Sequence, residues 1–195
     1  MNPLSPSVRT IREGYLIRSE GKVVDASSTI CLVESPGARL IVDSGSPREC
    51  TTLEDSLRLA GVTPGSVSHL VNTHLHIDHC GCNDIFENAK TYAHALESPP
   101  VGVVRISDRM TLLPGIELVP TPGHTRGCLS VFVTAEKRYA ICGDAIPTKA
   151  NYENLVPPAM NIDARLALRS LNAIAAWAEI VIPGHGPPFE VLAKK

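Results

Sequence analysis

The sequence predicts an α/β fold in which two layers of β-sheet lie between helices. Short runs that alternate apolar and polar residues precede a helical segment, and this order of strands and then a helix occurs again later in the chain. Such an order is typical of layered α/β architectures. The chain has 195 residues, of which 44% are hydrophobic, so it can bury a sizeable core and we expect a single domain over residues 1–195.

The first predicted element is a β-hairpin. Residues 29–33 and 39–42 are short, mainly apolar runs on either side of a turn that contains proline and glycine. Such a pattern predicts two antiparallel strands joined by a tight connection. Residues 67–72 form a short apolar run that predicts a buried strand, and residues 91–94 predict another strand that reaches toward a cleft.

A helix follows the hairpin. Leu53 and Leu57 have helical spacing, which predicts a helix that buries one face. We expect Thr51 or Thr52 to cap this helix and Gly61 to end it, because hydroxyl side chains favour the first position and glycine favours the last.

The second half repeats this pattern. Short apolar runs predict strands over residues 117–119, 129–133, 138–142 and 179–182. A helical stripe of leucine, isoleucine and alanine predicts a helix over about residues 161–177, with Asn161 or Asp163 as its cap.

Charge and composition exclude several classes of function. The net charge of −2 gives no overall electrostatic reason to bind nucleic acid. No stretch approaches the ~18 uninterrupted apolar residues of a membrane span, and residues 1–6 are polar, so we expect a cytoplasmic protein. In that compartment we expect the six cysteines to be mostly reduced, with Cys80 and Cys82 as small residues that fill a loop.

The histidines carry the strongest functional signal. His74, His76 and His79 lie within six residues, together with Asp78, and directly follow an apolar run. Three imidazoles and a carboxylate packed together without a metal would leave like charges and unsatisfied donors. The remaining candidates also follow strand-like segments: His124 and His185 in glycine-containing turns and Asp144 after residues 138–142.

The ends of neighbouring strands converge at one sheet edge, so these seven side chains can form one site. His74 and His76 project the same way from an extended loop and can hold one ion, while Asp78 and His79 turn toward a second. A carboxylate such as Asp144 can bridge two cations. Two ions about 3.5–4 Å apart can activate a shared water, and imidazole and carboxylate donors suit zinc, iron or manganese.

These motifs resemble those of the metallo-β-lactamase superfamily. The matching segments are Thr-His-Leu-His-Ile-Asp-His at 73–79, Thr-Pro-Gly-His-Thr at 121–125, Gly-Asp at 143–144 and Pro-Gly-His-Gly at 183–186. The resemblance implies a four-layer αβ/βα sandwich with two divalent metal ions per chain, zinc being the first choice. It implies His74, His76 and His124 on the first ion, Asp78, His79 and His185 on the second, and Asp144 between them.

Two further roles come with the resemblance. Asp43, in an Asp-Ser-Gly turn, would orient a metal ligand through a hydrogen bond. Asp78 would also be catalytic, because it can hydrogen-bond the activated water. An aspartate at position 144, where the best-known zinc β-lactamases have a cysteine, argues against antibiotic hydrolysis as the main activity.

The sequence leaves the substrate open. The leading hypothesis is a phosphodiesterase acting on RNA or small phosphodiesters, with Arg126 and Lys149 near the metals as positive charges. The alternative is hydrolysis of a carbonyl ester, thioester or lactone, as in glyoxalase II or lactonases, with Tyr152 donating to the oxyanion. His94 is a further candidate for a substrate contact, and we expect no membrane partner. The sequence leaves the oligomeric state open, with a homodimer as one candidate. A non-catalytic metal-binding or partner-binding protein is disfavoured, because all seven ligand positions are intact.

Overall fold

Two six-stranded mixed sheets form the centre of the fold. The structure, a computed structural model, describes residues 5–192, so residues 1–4 and 193–195 at the ends of the predicted domain lie outside it. The strands of the first sheet are β1 Ser7–Arg12, β4 Ile30–Ser35, β5 Ala38–Val42, β6 His69–Val71, β7 Lys90–His94 and β8 Val104–Ile106. They lie in the order β1-β4-β5-β6-β7-β8, with parallel pairing from β5 to β8.

The strands of the second sheet are β9 Met110–Leu113, β10 Ile116–Pro120, β11 Leu129–Thr134, β12 Arg138–Ile141, β13 Ile180–Ile182 and β14 Phe189–Glu190. They lie in the order β14-β13-β12-β11-β10-β9, and among the described strands of this sheet the pairing of β12 with β13 alone is parallel. A separate hairpin pairs β2 Tyr15–Ser19 with β3 Lys22–Ser27.

Four helices complete the described part of the chain: α1 Cys50–Leu59, α2 Ile77–Cys80, α3 Lys149–Asn154 and α4 Ala164–Trp177. Within residues 5–192, none of them has the length and apolar character needed to cross a bilayer.

The core consists of three apolar layers. Between the sheets, residues such as Val33 and Val71 of the first sheet pack against Leu118 and Val131 of the second. On the outer face of the first sheet, Leu53 and Leu57 of α1 pack against its strands, which confirms the apolar stripe predicted for that helix.

On the outer face of the second sheet, Leu171 and Ile174 of α4 pack against Phe132 and Val181. The layers therefore run helix, sheet, sheet, helix, and the predicted αβ/βα sandwich is confirmed. The single domain over residues 1–195 stays a prediction, and the apolar layer that the two sheets share is consistent with it.

The helix ends differ from the prediction in one case. Helix α1 begins at Cys50 because a 3-10 turn, Pro47–Glu49, leads directly into it, and neither Thr51 nor Thr52 is its cap. At the other end, Gly61 has a φ of +74°, as expected for the residue that ends a helix. Helix α4 begins at Ala164, and of the two predicted caps it is Asp163 that fills the position, since its carboxylate accepts a hydrogen bond from the Leu166 amide at 2.9 Å.

One disulfide corrects the interpretation of the cysteines. Cys50 and Cys82 are bonded, so Cys82 is not simply a small residue that fills a loop. The two sulfurs come together because the chain that follows α2 packs against the first turn of α1. Cys80 is a half-buried free thiol, and the other free thiols are buried: Cys31, Cys128 and Cys142.

The topology brings five connections to one edge of the sandwich. Parallel strands β6 and β7 of the first sheet end there, as do β12 and β13 of the second, and the loop from β10 to β11 turns at the same edge. The Leu129 amide donates to the Thr73 carbonyl at 2.7 Å, which joins the two sheets at this point.

Candidate metal centre

Seven histidine and aspartate side chains meet at this edge, and the structure brings together all seven ligands predicted from the sequence. They form three groups whose candidate ligand atoms lie within 4.8 Å of one another: His74, His76 and His124; His74, His79 and Asp144; and Asp78, His79 and His185. The members come from the loop after β6, from α2 and from the turns after β10, β12 and β13.

The first ligand set comprises His74, His76 and His124. His76 Nδ1 lies 3.0 Å from His74 Nε2 and 3.0 Å from His124 Nε2. A tetrahedral ion at about 2.0–2.1 Å from each imidazole would place such nitrogens about 3.3 Å apart. The spacing of the three ring nitrogens therefore fits a metal ion at their centre.

The second ligand set comprises Asp78, His79 and His185. Asp78 Oδ2 lies 3.8 Å from His79 Nε2 and 3.7 Å from His185 Nε2. The Asp144 carboxylate lies between the sets, with Oδ1 at 3.2 Å from His185 Nε2 and Oδ2 at 3.5 Å from His124 Nε2. Its two oxygens thus face different sets, a position from which the carboxylate can be shared between two ions.

Hydrogen bonds on the outer side of the rings fix their orientation. Asp43 Oδ2 is 2.8 Å from His79 Nδ1, and the same carboxylate accepts from the Thr73 amide and hydroxyl, each at 2.7 Å. The Nδ1 atoms of His124 and His185 face backbone carbonyl oxygens at 2.6 and 3.0 Å. Each of these rings therefore presents Nε2 to the centre, and outer partners of this kind are typical of metal ligands.

Two buried atoms of the candidate ligands lack a hydrogen-bond partner within the described part of the chain. Among the described residues, the buried side-chain atoms without a hydrogen bond include His79 Nε2 and Asp144 Oδ1. A buried polar atom left unpaired costs about 1–3 kcal/mol. A cation at this point would satisfy both atoms at once, so the donor set fits the divalent metal ions that the sequence predicts.

Burial and neighbouring charges shift the pKa values of the candidate ligands in both directions. Burial lowers the pKa of His74 and His76, and neighbouring histidines lower it further, so both rings are held neutral, as metal ligands must be. Burial opposes charge on His79, but Asp43 and Asp144 raise its pKa well above the usual value. Burial likewise opposes charge on Asp144, yet the imidazoles of His185 and His79 beside it hold the pKa of its carboxyl well below the usual range.

A groove of about 390 Å³ opens beside the ligands. Its apolar lining comes from Leu16, Val23 and Val24 of the β2–β3 hairpin, from Ile77 and from Met160. Ile77 stands between two candidate ligands in the chain, and it is 65% exposed despite being apolar.

The charged lining of the groove is mixed. Arg48 and Asp25 both line it and form an ion pair of 2.5 Å. The carboxylate of Asp78 also faces the groove, since its side chain is 22% exposed whereas His79 beside it is fully buried.

The predicted cationic substrate contacts lie elsewhere. Arg126 is exposed on the turn after His124, and its side chain is not part of the groove lining. Lys149 lies at the start of α3 and pairs with Glu153 at 3.1 Å. The structure therefore does not bring Arg126 or Lys149 into the groove.

The predicted oxyanion donor also lies elsewhere. Tyr152 packs its ring against Phe189, with centroids 5.1 Å apart, and its hydroxyl accepts from the Leu192 amide at 3.2 Å. It lines a separate cavity of about 560 Å³ beyond α4, because helix α3 carries it away from Asp144. His94 is buried, and its Nδ1 accepts from the Leu96 amide at 3.1 Å, so its ring fixes a turn.

Sequence reasoning missed the residues that shape the groove. Val24 and Met160 belong to segments with no predicted element or motif, so no pattern marks them. Ile77 had a usable signal, since an apolar residue between two ligands of an exposed loop has to face either the core or the substrate. Glu97 accepts hydrogen bonds from two of the loops that carry ligands. No sequence pattern identifies it, because its hydrogen-bond partners are distant in the chain.

Comparison with known proteins agrees with this geometry. The sequence profile of the metallo-beta-lactamase superfamily matches residues 23–110. The chain is 35% identical to a probable metallo-hydrolase of Methanocaldococcus jannaschii, over 91% of this chain and 86% of that protein. It is 31% identical to metallo-beta-lactamase domain-containing protein 1 of Xenopus laevis, over 97% of this chain and 84% of the other.

A third relative combines sequence and structural similarity. The N-acyl homoserine lactonase AiiA of Bacillus thuringiensis is 27% identical over 79% of this chain and 77% of its own length. A solved structure of an AiiA mutant superposes with a TM-score of 0.74 over 93% of this chain and 92% of the other, at 22% identity. With the ligand geometry and these similarities together, the chain belongs to the metallo-beta-lactamase superfamily of metal-dependent hydrolases.

Proposed function

We propose that this protein is a dinuclear metal-dependent hydrolase that cleaves a carbonyl ester, thioester or lactone carrying an apolar acyl group. The observation that carries the proposal is the groove, whose apolar side chains lie directly beside the candidate ligands. This choice reverses the order of the two substrate hypotheses that the sequence supports.

The two ligand sets would each hold one divalent ion, with Asp144 shared between them. Nitrogen and oxygen donors suit zinc, iron or manganese, and zinc is our first choice. When bound, the ions supply Lewis acidity to the substrate carbonyl and to a water molecule.

Side chains of the groove would orient the attacking water and bind the acyl group of the substrate. Asp78 reaches the groove, so its carboxylate can accept a hydrogen bond from the attacking water and orient it. Ile77, Met160 and Val24 surround the space beside the ligands and would pack on the acyl group. Burial of each methylene of that group contributes about 0.8 kcal/mol, and the same contacts exclude bulk water from the reacting carbonyl.

Among the described residues, Arg48 is the cationic side chain that lines the groove, so a phosphodiester would find little positive charge there beyond that of the ions. The guanidinium of Arg48 is already paired with Asp25. The name of the Bacillus thuringiensis relative, an N-acyl homoserine lactonase, is consistent with a carbonyl substrate.

Hydrolysis of a phosphodiester, in RNA or in a small molecule, is the second candidate function. It is favoured by the position of Arg48, a cationic side chain in the lining of the groove. The Arg48 side chain is 73% exposed, and exposed ion pairs contribute only about 0–1 kcal/mol. Arg48 can therefore leave Asp25 and turn toward a phosphate at little cost.

The apolar contact is tested with substrates that differ in acyl length. We expect wild type to hydrolyse hexanoyl thioesters or lactones with a higher kcat/KM than acetyl analogues. Val24→Asn should reduce this preference about tenfold, which corresponds to the loss of roughly two methylene contacts. The matched control is Val101→Asn, because Val101 is fully exposed outside the groove. An unchanged preference in Val24→Asn would contradict the proposed acyl contact.

The charge of the substrate is tested with a chromogenic phosphodiester. Arg48→Ala is compared with Arg58→Ala, since Arg58 is also an exposed arginine paired with an aspartate but lies on α1. If wild type prefers the carbonyl substrates and Arg48→Ala changes their kcat/KM by less than about threefold, the proposal stands. If wild type prefers the phosphodiester and only Arg48→Ala loses about tenfold or more, the second candidate replaces it.

A further inference from the structure

Glu97 connects two loops that carry candidate ligands. It ends the 3-10 turn Ala95–Glu97, which directly follows β7. Its Oε2 accepts a hydrogen bond from the Leu75 amide at 3.1 Å. Its Oε1 accepts from the Thr125 hydroxyl at 2.6 Å and from the Gly127 amide at 3.0 Å.

These three donors belong to the loops of the first ligand set. Leu75 lies between His74 and His76, and Thr125 directly follows His124. The first loop leaves β6 of one sheet, whereas the second joins β10 to β11 of the other sheet. One carboxylate therefore holds the two loops at the separation at which the three ring nitrogens converge.

The carboxylate itself is held closely. A Cβ on Gly127 would lie 2.7 Å from both Cγ and Oε1 of Glu97, so only glycine lets the loop approach the carboxylate this closely. On the other side, the imidazole of His94 fixes the turn by accepting from the Leu96 amide, and Ser98 follows with a φ of +55°. Glu97 thus has little freedom to move away from its three donors.

We propose that Glu97 is a positioning residue for the first ligand set, an inference that rests on the proposed role of that set in binding a metal ion. The carboxylate needs both of its oxygens, since one accepts from Leu75 and the other from Thr125 and Gly127. A glutamine would turn an NH₂ group toward one of these N–H or O–H donors. The second ligand set has no hydrogen bond to Glu97 and should not depend on it.

The test measures metal affinity for each set separately. In a His185→Ala background the first set is intact, and in a His124→Ala background the second set is intact. We expect Glu97→Gln to weaken binding of Zn²⁺ or Co²⁺, measured against a chromophoric chelator, about 10–100-fold in the first background. In the second background the change should stay within about twofold. Glu87→Gln, an exposed glutamate with the same change of charge, is the matched control.

A merely structural role gives a different result. In that case Glu97→Gln would lower the Tm of the metal-free protein and weaken both sets equally, or leave both affinities unchanged, and either result overturns the inference. If wild type takes up no metal, the proposed function and this inference fall together. If wild type binds two ions and only the effect of Glu97 is missing, the proposed function survives alone. Should Glu97→Gln fail to fold, Thr125→Val removes one of the three hydrogen bonds and should weaken the first set to a smaller degree.

Discussion

Asp43 and Asp78 are two carboxylates near His79, and their surroundings give them different tasks. Asp43 is only 2% exposed, and three donors surround its oxygens. Its carboxylate is therefore occupied in holding His79. Asp78 lies at the groove and keeps part of its side chain exposed, so it can meet both an ion and a water molecule.

The substitution Asp78→Asn should separate turnover from folding. The amide has nearly the same shape but is a weaker ligand and a weaker proton acceptor, so we expect kcat to fall roughly 10²–10⁴-fold while the sandwich stays folded. Steady-state or stopped-flow kinetics measure the change in kcat, elemental analysis measures the metal content, and circular dichroism checks that the variant is folded. Near-normal turnover with unchanged metal content would rule out the proposed role of Asp78.

The substitution Asp43→Asn should act on the second ligand set without distorting the chain. Position 43 has a φ of +59°, a conformation that asparagine tolerates well. The amide cannot accept from all three donors, so His79 loses its fixed orientation and the second ion should bind about 10–100-fold more weakly. Asp55→Asn, on the exposed face of α1, is the control, and equal affinities in the two variants would contradict the prediction.

The sequence predicted the positions of the candidate ligands but not those of the residues around them. The seven candidate ligands were predictable because a metal requires several donors of restricted type, which leaves a compact pattern such as residues 74–79. Glu97 was not predictable, since its partners are donors 22 to 30 positions away in the chain. Tyr152 was expected at the site because it follows Asp144, but the direction of α3 decides its position.

At the level of elements, buried segments were predicted well and exposed ones were not. The β4–β5 hairpin is apolar because both of its faces are buried, and helix α4 has a buried apolar stripe, so their sequence patterns match the structure. The β2–β3 hairpin was missed because Val23 and Val24 are largely exposed and do not alternate with polar residues. The element that shapes the groove is thus the one with the weakest periodic pattern.

The disulfide links two elements near the site, so its removal should have a measurable cost. Cys50 and Cys82 are separated by 32 positions, and closing a loop of this length stabilises a protein by about 3–4 kcal/mol in the chain-entropy account. We expect Cys50→Ser to lower the free energy of unfolding in urea by about this amount under non-reducing conditions. Cys80→Ser, which removes a half-buried free thiol, is the control.

The number of free thiols in the wild-type protein also bears on the predicted cytoplasmic location. Titration of the unfolded chain should find four free thiols without reductant and six with it. Six thiols in both cases would contradict the disulfide and would favour the cytoplasmic location predicted from the sequence, where disulfides are rare.

On the scale of the whole molecule, the candidate ligands come from both halves of the sandwich. The first ligand set takes His74 and His76 from the first sheet and His124 from the second. The second set likewise combines Asp78 and His79 with His185 from the end of β13. Metal ions would therefore join the sheets at the edge where buried polar atoms such as His79 Nε2 otherwise lack partners.

Metal binding should consequently stabilise the entire fold. An ion that binds only the folded state contributes about 4.1 kcal/mol when its concentration is 1,000 times its Kd. For a chain of this size, each kcal/mol raises the Tm by about 2–4 °C, so one ion should raise it by about 8–16 °C and a second ion should raise it further. Elemental analysis after loading with Zn²⁺ or Mn²⁺ should find two ions per chain, and calorimetry should show the increase in Tm, which a chelator reverses. If the Tm rises in a single step and elemental analysis finds one ion per chain, the site holds one metal ion and the two-metal proposal is wrong. If the Tm does not rise at all, the seven side chains do not bind these ions.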